Sequence, residues 1–394
     1  MDVSPLSHSN IAIVAVAYNR KDALLRLLDS LSNAVYDSNE SVTLIISIDK
    51  SDTDIVELFA DGYEWKHGKK IVDRHEQNLG LRNHMLSLGK WFDSFDAIIV
   101  LEDDIVVAPD YFSFAKQTVH KYSSDEMIAG ISLYSFKLNY LNNLPFEPVY
   151  EGDDVYFMNC AMSWGEIWMK DQWIAFYKWY QDNLDFPNLS HLPARLCKMG
   201  KKSWLKYHTR YCIETGKYFA FPYCSLSTNF SDAGTHNDGS FSSLFQVPLS
   251  CRRGGGYKLP DSNQNAVCYN GFFENVRIPE YIGLKGDDLC VDLNGTRDEK
   301  PEERYWLTTQ VKDFKVIRTF ANELRPIELN IQKNLRGTGI FLYDTSIKEK
   351  NRTKSNILLY RYYLGGVVPF LRKYGESKVL REYFDRYINR KRKK

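Results

Sequence analysis

Short apolar runs alternate with segments of helical spacing along the first 120 residues, and this alternation limits the fold more than any other feature. Ile11–Ala17 (IAIVAVA), Val42–Ile48 (VTLIISI) and Ala97–Leu101 (AIIVL) are brief and rich in β-branched side chains. Such runs read as strands buried on both faces. A further strand is expected at Lys70–His75. Between the runs, Lys21–Leu31 carries apolar residues at helical spacing, and Asn83–Phe92 and Tyr111–Tyr122 are further helix candidates. Repeated strand–helix units predict an α/β fold: a mostly parallel, Rossmann-like sheet flanked by helices.

The third run leads directly into three acids, in VLEDDIVVAPDYF (residues 100–112). Adjacent carboxylates at the end of a buried strand repel one another, so something positive must neutralise them. In open α/β sheets the carboxyl ends of the strands are where ligands bind. Oxygen donors there suit Mn²⁺ or Mg²⁺, hard ions that keep water and bridge to phosphates.

The stretch from Asn78 to Phe112 resembles nucleotide-sugar glycosyltransferases of the GT-A type. It is similar to the bacterial family-two-like enzymes and to N-acetylglucosaminyltransferase I. The resemblance implies that Asp104 ligates the metal, that Asp103 faces the ribose or sugar of the donor, and that Glu102 orients its neighbours. Three further patches match in order. In VAVAYNR (14–20), Ala17, Tyr18 and Arg20 would line the base and phosphate side. In ISIDKS, Asp49 corresponds to an acid that hydrogen-bonds a uracil-type ring. In NLGLR (78–82), Asn78, Gly80 and Arg82 lie on a loop beside the nucleotide, with Arg82 able to reach a phosphate. Without the resemblance, AYNR also reads as a plain strand-to-helix turn capped by Asn19.

The likeness continues into the aromatic middle of the chain. CAMSWGEIWMKDQW (160–173) resembles a segment near the acceptor and contains Trp164. ETGKYFAFPYCSLSTNFSDAGTH (214–236) resembles the segment that closes the catalytic domain, where His236 would bind the metal or the diphosphate. Direct displacement with inversion is implied, which requires a base for the acceptor hydroxyl. Relatives carry an Asp beside a Trp for this purpose, but here Leu205 stands in that place in KSWLKYHTRYC. The expected substitutes are Glu166 first, then His208 and Asp232.

Charge is unevenly distributed. Residues 350–394 hold 14 Lys/Arg against 3 Asp/Glu, a net of +11, so with a whole-chain charge of +1 the first 349 residues carry −10. A chain near neutrality is not expected to be a nucleic-acid binder. The basic tail, with aromatics and aliphatics interleaved (LLYRYYLGGVVPFLRKYG, then KVLREYFDRYINRKRKK), reads as amphipathic helix that meets an anionic membrane surface. Seven cysteines form no CxxC pair, which argues against zinc and against a full disulfide set. The first residues lack the pattern of a signal peptide, and no apolar run reaches spanning length.

The expected organisation is a catalytic domain at 1–250, an accessory or acceptor-side segment at 251–350 and a membrane-associating tail at 351–394. The expected function is metal-dependent transfer from a nucleoside-diphosphate sugar, a UDP-sugar first, to a glycan or lipid-linked saccharide. Its setting would be bacterial surface polysaccharide synthesis at the cytoplasmic face of the inner membrane. A sugar nucleotidyltransferase is the alternative, disfavoured because AVAYNRKD has no Gly-rich phosphate loop. A catalytically decayed sugar-binding protein on the same fold is the other.

Overall fold

A computed structural model describes residues 9–187, 189–200, 202–230, 245–263, 265–297, 299–354, 371 and 375–391. The chain divides into two compact units. One comprises Met1–Phe136 and Tyr150–Val267, the other Lys137–Val149 and Cys268–Lys394.

The first unit opens with β1 (Ile11–Ala17), α1 (Lys21–Ser32), β2 (Thr43–Ile48), α2 (Ile55–Gly62), β3 (Lys70–Arg74) and α3 (Gly80–Ser87). This is the alternation expected from the sequence. Every residue of β1 is buried, as its unbroken apolar run requires. Arg20 is the N-cap residue of α1 and makes no side-chain cap bond; Asn19 is not the cap. A good cap is worth about 1 kcal/mol. Burying Leu24, Leu27, Leu28 and Leu31 contributes roughly 1.5–3 kcal/mol each, so packing rather than capping holds this helix.

The helix expected over Asn83–Phe92 is displaced. It begins at Gly80, ends at Ser87, and passes into a 3₁₀ turn at Leu88–Asp93. Within that turn Gly89 packs against Trp173, and a Cβ on Gly89 would lie 2.4 Å from the indole Nε1. That close approach admits only glycine.

Next come β4 (Ala97–Glu102), β5 (Ile105–Val107), α4 (Tyr111–Tyr122) and β6 (Ile128–Ser132). Residues 137–149 contribute β7 (Leu138–Asn139) and β8 (Leu144–Pro145) to the second unit. The first unit resumes with β9 (Val155–Met158), β10 (Glu166–Met169), α5 (Lys170–Asp182), α6 (Ala194–Cys197), α7 (Leu205–Thr215), β11 (Tyr218–Pro222) and β12 (Ser227–Asn229). Its sheet runs β9-β11-β6-β10-β4-β1-β2-β3. Strands β4, β1, β2 and β3 are mutually parallel. β10 runs antiparallel between β4 and β6. The mostly parallel α/β sheet flanked by helices is the GT-A-like arrangement.

The second unit adds β13 (Cys268–Tyr269), α8 (Ile278–Ile282), β14 (Leu289–Asp292), β15 (Tyr305–Thr308), β16 (Lys315–Phe320), α9 (Leu329–Gln332), β17 (Ile340–Asp344) and α10 (Glu376–Lys391). Four strands form a sheet in the order β14-β15-β17-β16. Its core gathers Ile278, Leu289, Leu307, Phe320, Ile331 and Ile340. Among the described residues no helix is long and apolar enough to cross a membrane.

Candidate active site

Parallel pairing brings the carboxyl ends of β2, β1 and β4 side by side. Val16 of β1 is in register with Ser47 of β2 and with Glu102 of β4. The chain therefore leaves three neighbouring strands at Asp49, at Tyr18–Arg20 and at Asp103–Asp104 along one edge. Ala17 is buried and its carbonyl accepts the Asp49 N–H at 3.0 Å; Tyr18 is half-buried beside it.

Arg20 supplies the positive charge that the acidic run requires. Its guanidinium forms a tight pair with Asp103 Oδ1, donates to Asp103 Oδ2 from Nε at 3.3 Å, and reaches Asp104 Oδ2 at 3.3 Å. The Asp103 side chain is 6% exposed and that of Asp104 is 23% exposed. Asp104 is thus the carboxylate open to a ligand. Burial works against the Arg20 charge, but Asp103 and then Asp104 outweigh it and hold the guanidinium pKa above its ordinary value. Burial, followed by the charges of Asp104 and Asp103, pushes the Glu102 carboxyl up to about 8.

Asp49 is 4% exposed and organises the neighbouring loop. Oδ1 accepts the N–H of Lys50 at 3.0 Å and of Leu79 at 2.8 Å, and Oδ2 accepts that of Gly80 at 2.9 Å. The Leu79 and Gly80 N–H groups open α3, where a carboxylate is favoured by the unpaired donors of the first turn. Gly80 has φ +71°, a left-handed conformation that suits glycine. Asn78 Nδ2 donates to the Lys50 carbonyl at 2.8 Å and closes the loop from the other side. The Arg82 guanidinium lies 4.9 Å from the Tyr207 ring centre on α7.

On the other side of the acidic turn, β12 pairs antiparallel with β5, Asn229 against Ile105. The Phe230 N–H then donates to the Asp104 carbonyl at 2.7 Å. The Phe230 ring receives the Arg26 guanidinium at 3.7 Å. Phe230 was not singled out from the sequence, because its role comes through its backbone N–H and only the strand pairing shows it. Asp232 and His236 lie outside the described residues.

Trp164 is half-buried, with its ring 4.9 Å from Tyr134 and 5.2 Å from Phe245. Gly165 beside it has φ +96°, and a Cβ there would meet Ser227 Oγ at 2.9 Å and Leu133 Cβ at 3.1 Å. Glycine is what lets the chain turn tightly into β10.

Glu166 and His208 are brought together, with Nδ1 3.2 Å from Oε1, but each side chain is only 1% exposed. The His208 ring stacks on Phe176 at 4.0 Å and meets Phe219 at 5.0 Å. Burial raises the Glu166 pKa and His208 partly offsets this. In this structure an acceptor reaches neither side chain from solvent. Leu205 is half-buried in the first turn of α7.

The model of glycosyl transferase family 2 matches residues 12–136, which run from β1 through the acidic turn and beyond β6. Among solved structures, the chain is similar to a mannosyltransferase from Pyrobaculum calidifontis in complex with GDP-Man and Mn²⁺ (11% identity, 56% of this chain, 57% of that one, TM-score 0.35). It is also similar to S. aureus TarS 1-349 in complex with UDP-GlcNAc (12% identity, 59% and 62% covered, TM-score 0.35). GalNAc-T7 with UDP, GalNAc and Mn²⁺ is a further match (14% identity, 57% and 44% covered, TM-score 0.38). The chain spans 44–62% of the length of these proteins.

The donor atoms at the acidic turn, in Glu102, Asp103 and Asp104, are all carboxylate oxygens. Among the described residues no group of three or more His, Cys, Asp or Glu converges on one cation position. Carboxylate oxygens of this kind fit Mn²⁺ or Mg²⁺, which fill the remainder of their coordination shell with water and phosphate.

Proposed function

We propose that this chain transfers a sugar from a nucleoside-diphosphate sugar, a UDP-sugar foremost, to a glycan or lipid-linked saccharide. One observation carries the reading: within the stretch that the family 2 model matches, Glu102-Asp103-Asp104 end a buried strand at the sheet edge, with the accessible Asp104 facing Arg20. Asp104 would hold Mn²⁺ or Mg²⁺, assisted by His236. The ion would supply Lewis-acid neutralisation of the diphosphate leaving group. Arg20 and Arg82 would contribute cations toward the phosphates, Asp103 would face the ribose or sugar, and the loop held by Asp49, Asn78 and Gly80 would border the base. Ala17 and Tyr18 would form the floor beneath it, and Trp164 would offer its ring to the acceptor sugar.

Inversion needs a base that meets the acceptor hydroxyl. The burial of Glu166 and His208 favours a supporting role for that pair and leaves Asp232 as the base in this reading. Asp232 follows two residues after Phe230, whose N–H is held by the Asp104 carbonyl. The test is calorimetric titration with UDP, GDP and dTDP, with and without Mn²⁺, on the native chain and on Asp104→Ala. Metal-dependent binding of one nucleotide, lost in Asp104→Ala, is the expected result. If none binds under any condition, the reading fails.

We further propose that the tail lies on an anionic membrane at the cytoplasmic face of a bacterial cell, where surface polysaccharide precursors are made. In α10 the apolar Leu380 and Phe384, four residues apart, are 66% and 64% exposed, and Lys378 and Arg381 are exposed beside them. Each basic residue near such a leaflet adds about 1 kcal/mol before screening. A chain truncated after residue 350 is expected to stop co-floating with phosphatidylglycerol vesicles. Unchanged flotation would remove the membrane role and leave the transfer reaction untouched.

A further inference from the structure

The chain leaves the main sheet at the acidic turn. β4 lies inside that sheet, but β5, which begins at Ile105, pairs with β12 in a separate two-stranded ladder. The ladder matches Ser227 with Val107, Thr228 with Val106 and Asn229 with Ile105. Its last rung is the Phe230 N–H on the Asp104 carbonyl at 2.7 Å. The end of so short a ladder is where opening costs least. Asp104, the carboxylate open to a ligand, therefore takes its backbone position from the rung most ready to fray.

Helix α1 holds this rung from outside the ladder. The Arg26 guanidinium lies 3.7 Å from the Phe230 ring centre, and the Phe230 residue is 45% exposed. Nearly half of it stays in water, so burial contributes little and the guanidinium contributes a substantial share of what fixes the ring. One turn further along α1, Ser30 Oγ accepts the Val107 N–H at 3.3 Å. Arg20, the N-cap residue of the same helix, reaches Asp104 Oδ2 at 3.3 Å. One helix thus grips the turn at three points: the Asp104 carboxylate, the residue bonded to the Asp104 carbonyl, and the last residue of β5.

A metal ligand held in place before the ion arrives loses less freedom on binding. We propose that Arg26, acting through the Phe230 ring, is a positioning residue for Asp104, a role that rests on reading Asp104 as the metal ligand. By securing the last rung it fixes the backbone from which that carboxylate meets a divalent cation.

Two measurements on the full chain test this. Mn²⁺ alone is titrated and the free ion followed by its electron paramagnetic resonance signal, and exchange of the Phe230 amide hydrogen is followed without metal. Arg26→Met keeps the aliphatic stem and removes the charge. It is expected to weaken Mn²⁺ binding about two- to fivefold, the size of one partly exposed cation–ring contact, and to speed exchange of the Phe230 amide. Arg26→Lys should restore most of both. Adding Arg26→Met to Phe230→Leu should cause no further loss, because the two act as a unit. Native exchange or native Mn²⁺ affinity in Arg26→Met would overturn the proposal, as would additive losses in the double variant. Asp104→Ala separates the two readings. If Mn²⁺ binding survives that change, Asp104 is not the ligand and both readings fall. If Asp104→Ala abolishes binding while Arg26→Met leaves it native, the role of Arg26 alone falls.

Discussion

At the scale of single residues, the acidic turn is an electrostatic problem with a local answer. Asp103 is nearly buried, and Arg20 carries its counter-charge. Removing one member of a buried pair leaves the other charge uncompensated, at a cost of about 3 kcal/mol or more. Solvent reaches Arg20, so the effect should sit near the lower end. Arg20→Gln is therefore expected to lower the urea midpoint. Added Mn²⁺ should restore part of the loss, because a cation at Asp104 replaces the missing positive charge. An unchanged midpoint would show that the Arg20 contact contributes nothing to the fold. The need for a cation beside EDD is readable from three adjacent acids. That Arg20 supplies it, across 83 residues of sequence, is not.

At the scale of elements, the polar face of the sheet shows what periodicity leaves out. Ser47 in β2 points to the same face as Val16 and Glu102, and its hydroxyl meets His84 Nε2 of α3 at 2.8 Å. His84 is 2% exposed with the His75 ring 4.9 Å away. Burial first, then the charge of His75, lowers its pKa from 6.5 to about 4, while Asp49 and Asp73 pull the other way. The unfolded chain therefore takes up this proton before the folded one does. Stability attributable to His84 is present above pH 6.5 and is lost as pH falls toward 4, at no more than about 1.4 kcal/mol per pH unit. His84→Gln should flatten the decline in urea midpoint between pH 6.5 and 4. A slope equal to that of the native chain would exclude His84 as its source. The same scale explains the aromatic middle of the chain. Strands β9 to β12 are three to five residues long, too short to display a period, and they find partners only across long sequence separations.

At the scale of the whole molecule, the two units interleave in sequence. Lys137–Val149 leaves the first unit after Phe136 and packs with the residues after Val267. Leu138, Leu144, Phe146 and Val149 are all buried there. A chain ending at Val267 would keep this apolar segment without the second unit's core. It is expected to bind a hydrophobic dye and to aggregate on concentration. A monodisperse, dye-silent truncation would show that the insert is not a committed part of the second unit.

Fold class and the acidic turn at the end of a buried strand were legible in the sequence, because each is encoded in contiguous residues. A buried strand must be an apolar run, and three carboxylates in series cannot be hidden. Tertiary structure decided the rest, because its cause lies between distant segments. Pairing of β12 with β5 sets the Phe230 N–H on the Asp104 carbonyl. Aromatic packing from α5, α7 and β11 seals Glu166 and His208 away from solvent, though the sequence offered both as candidate bases. Burial is a property of that packing, and no local pattern of residues encodes it.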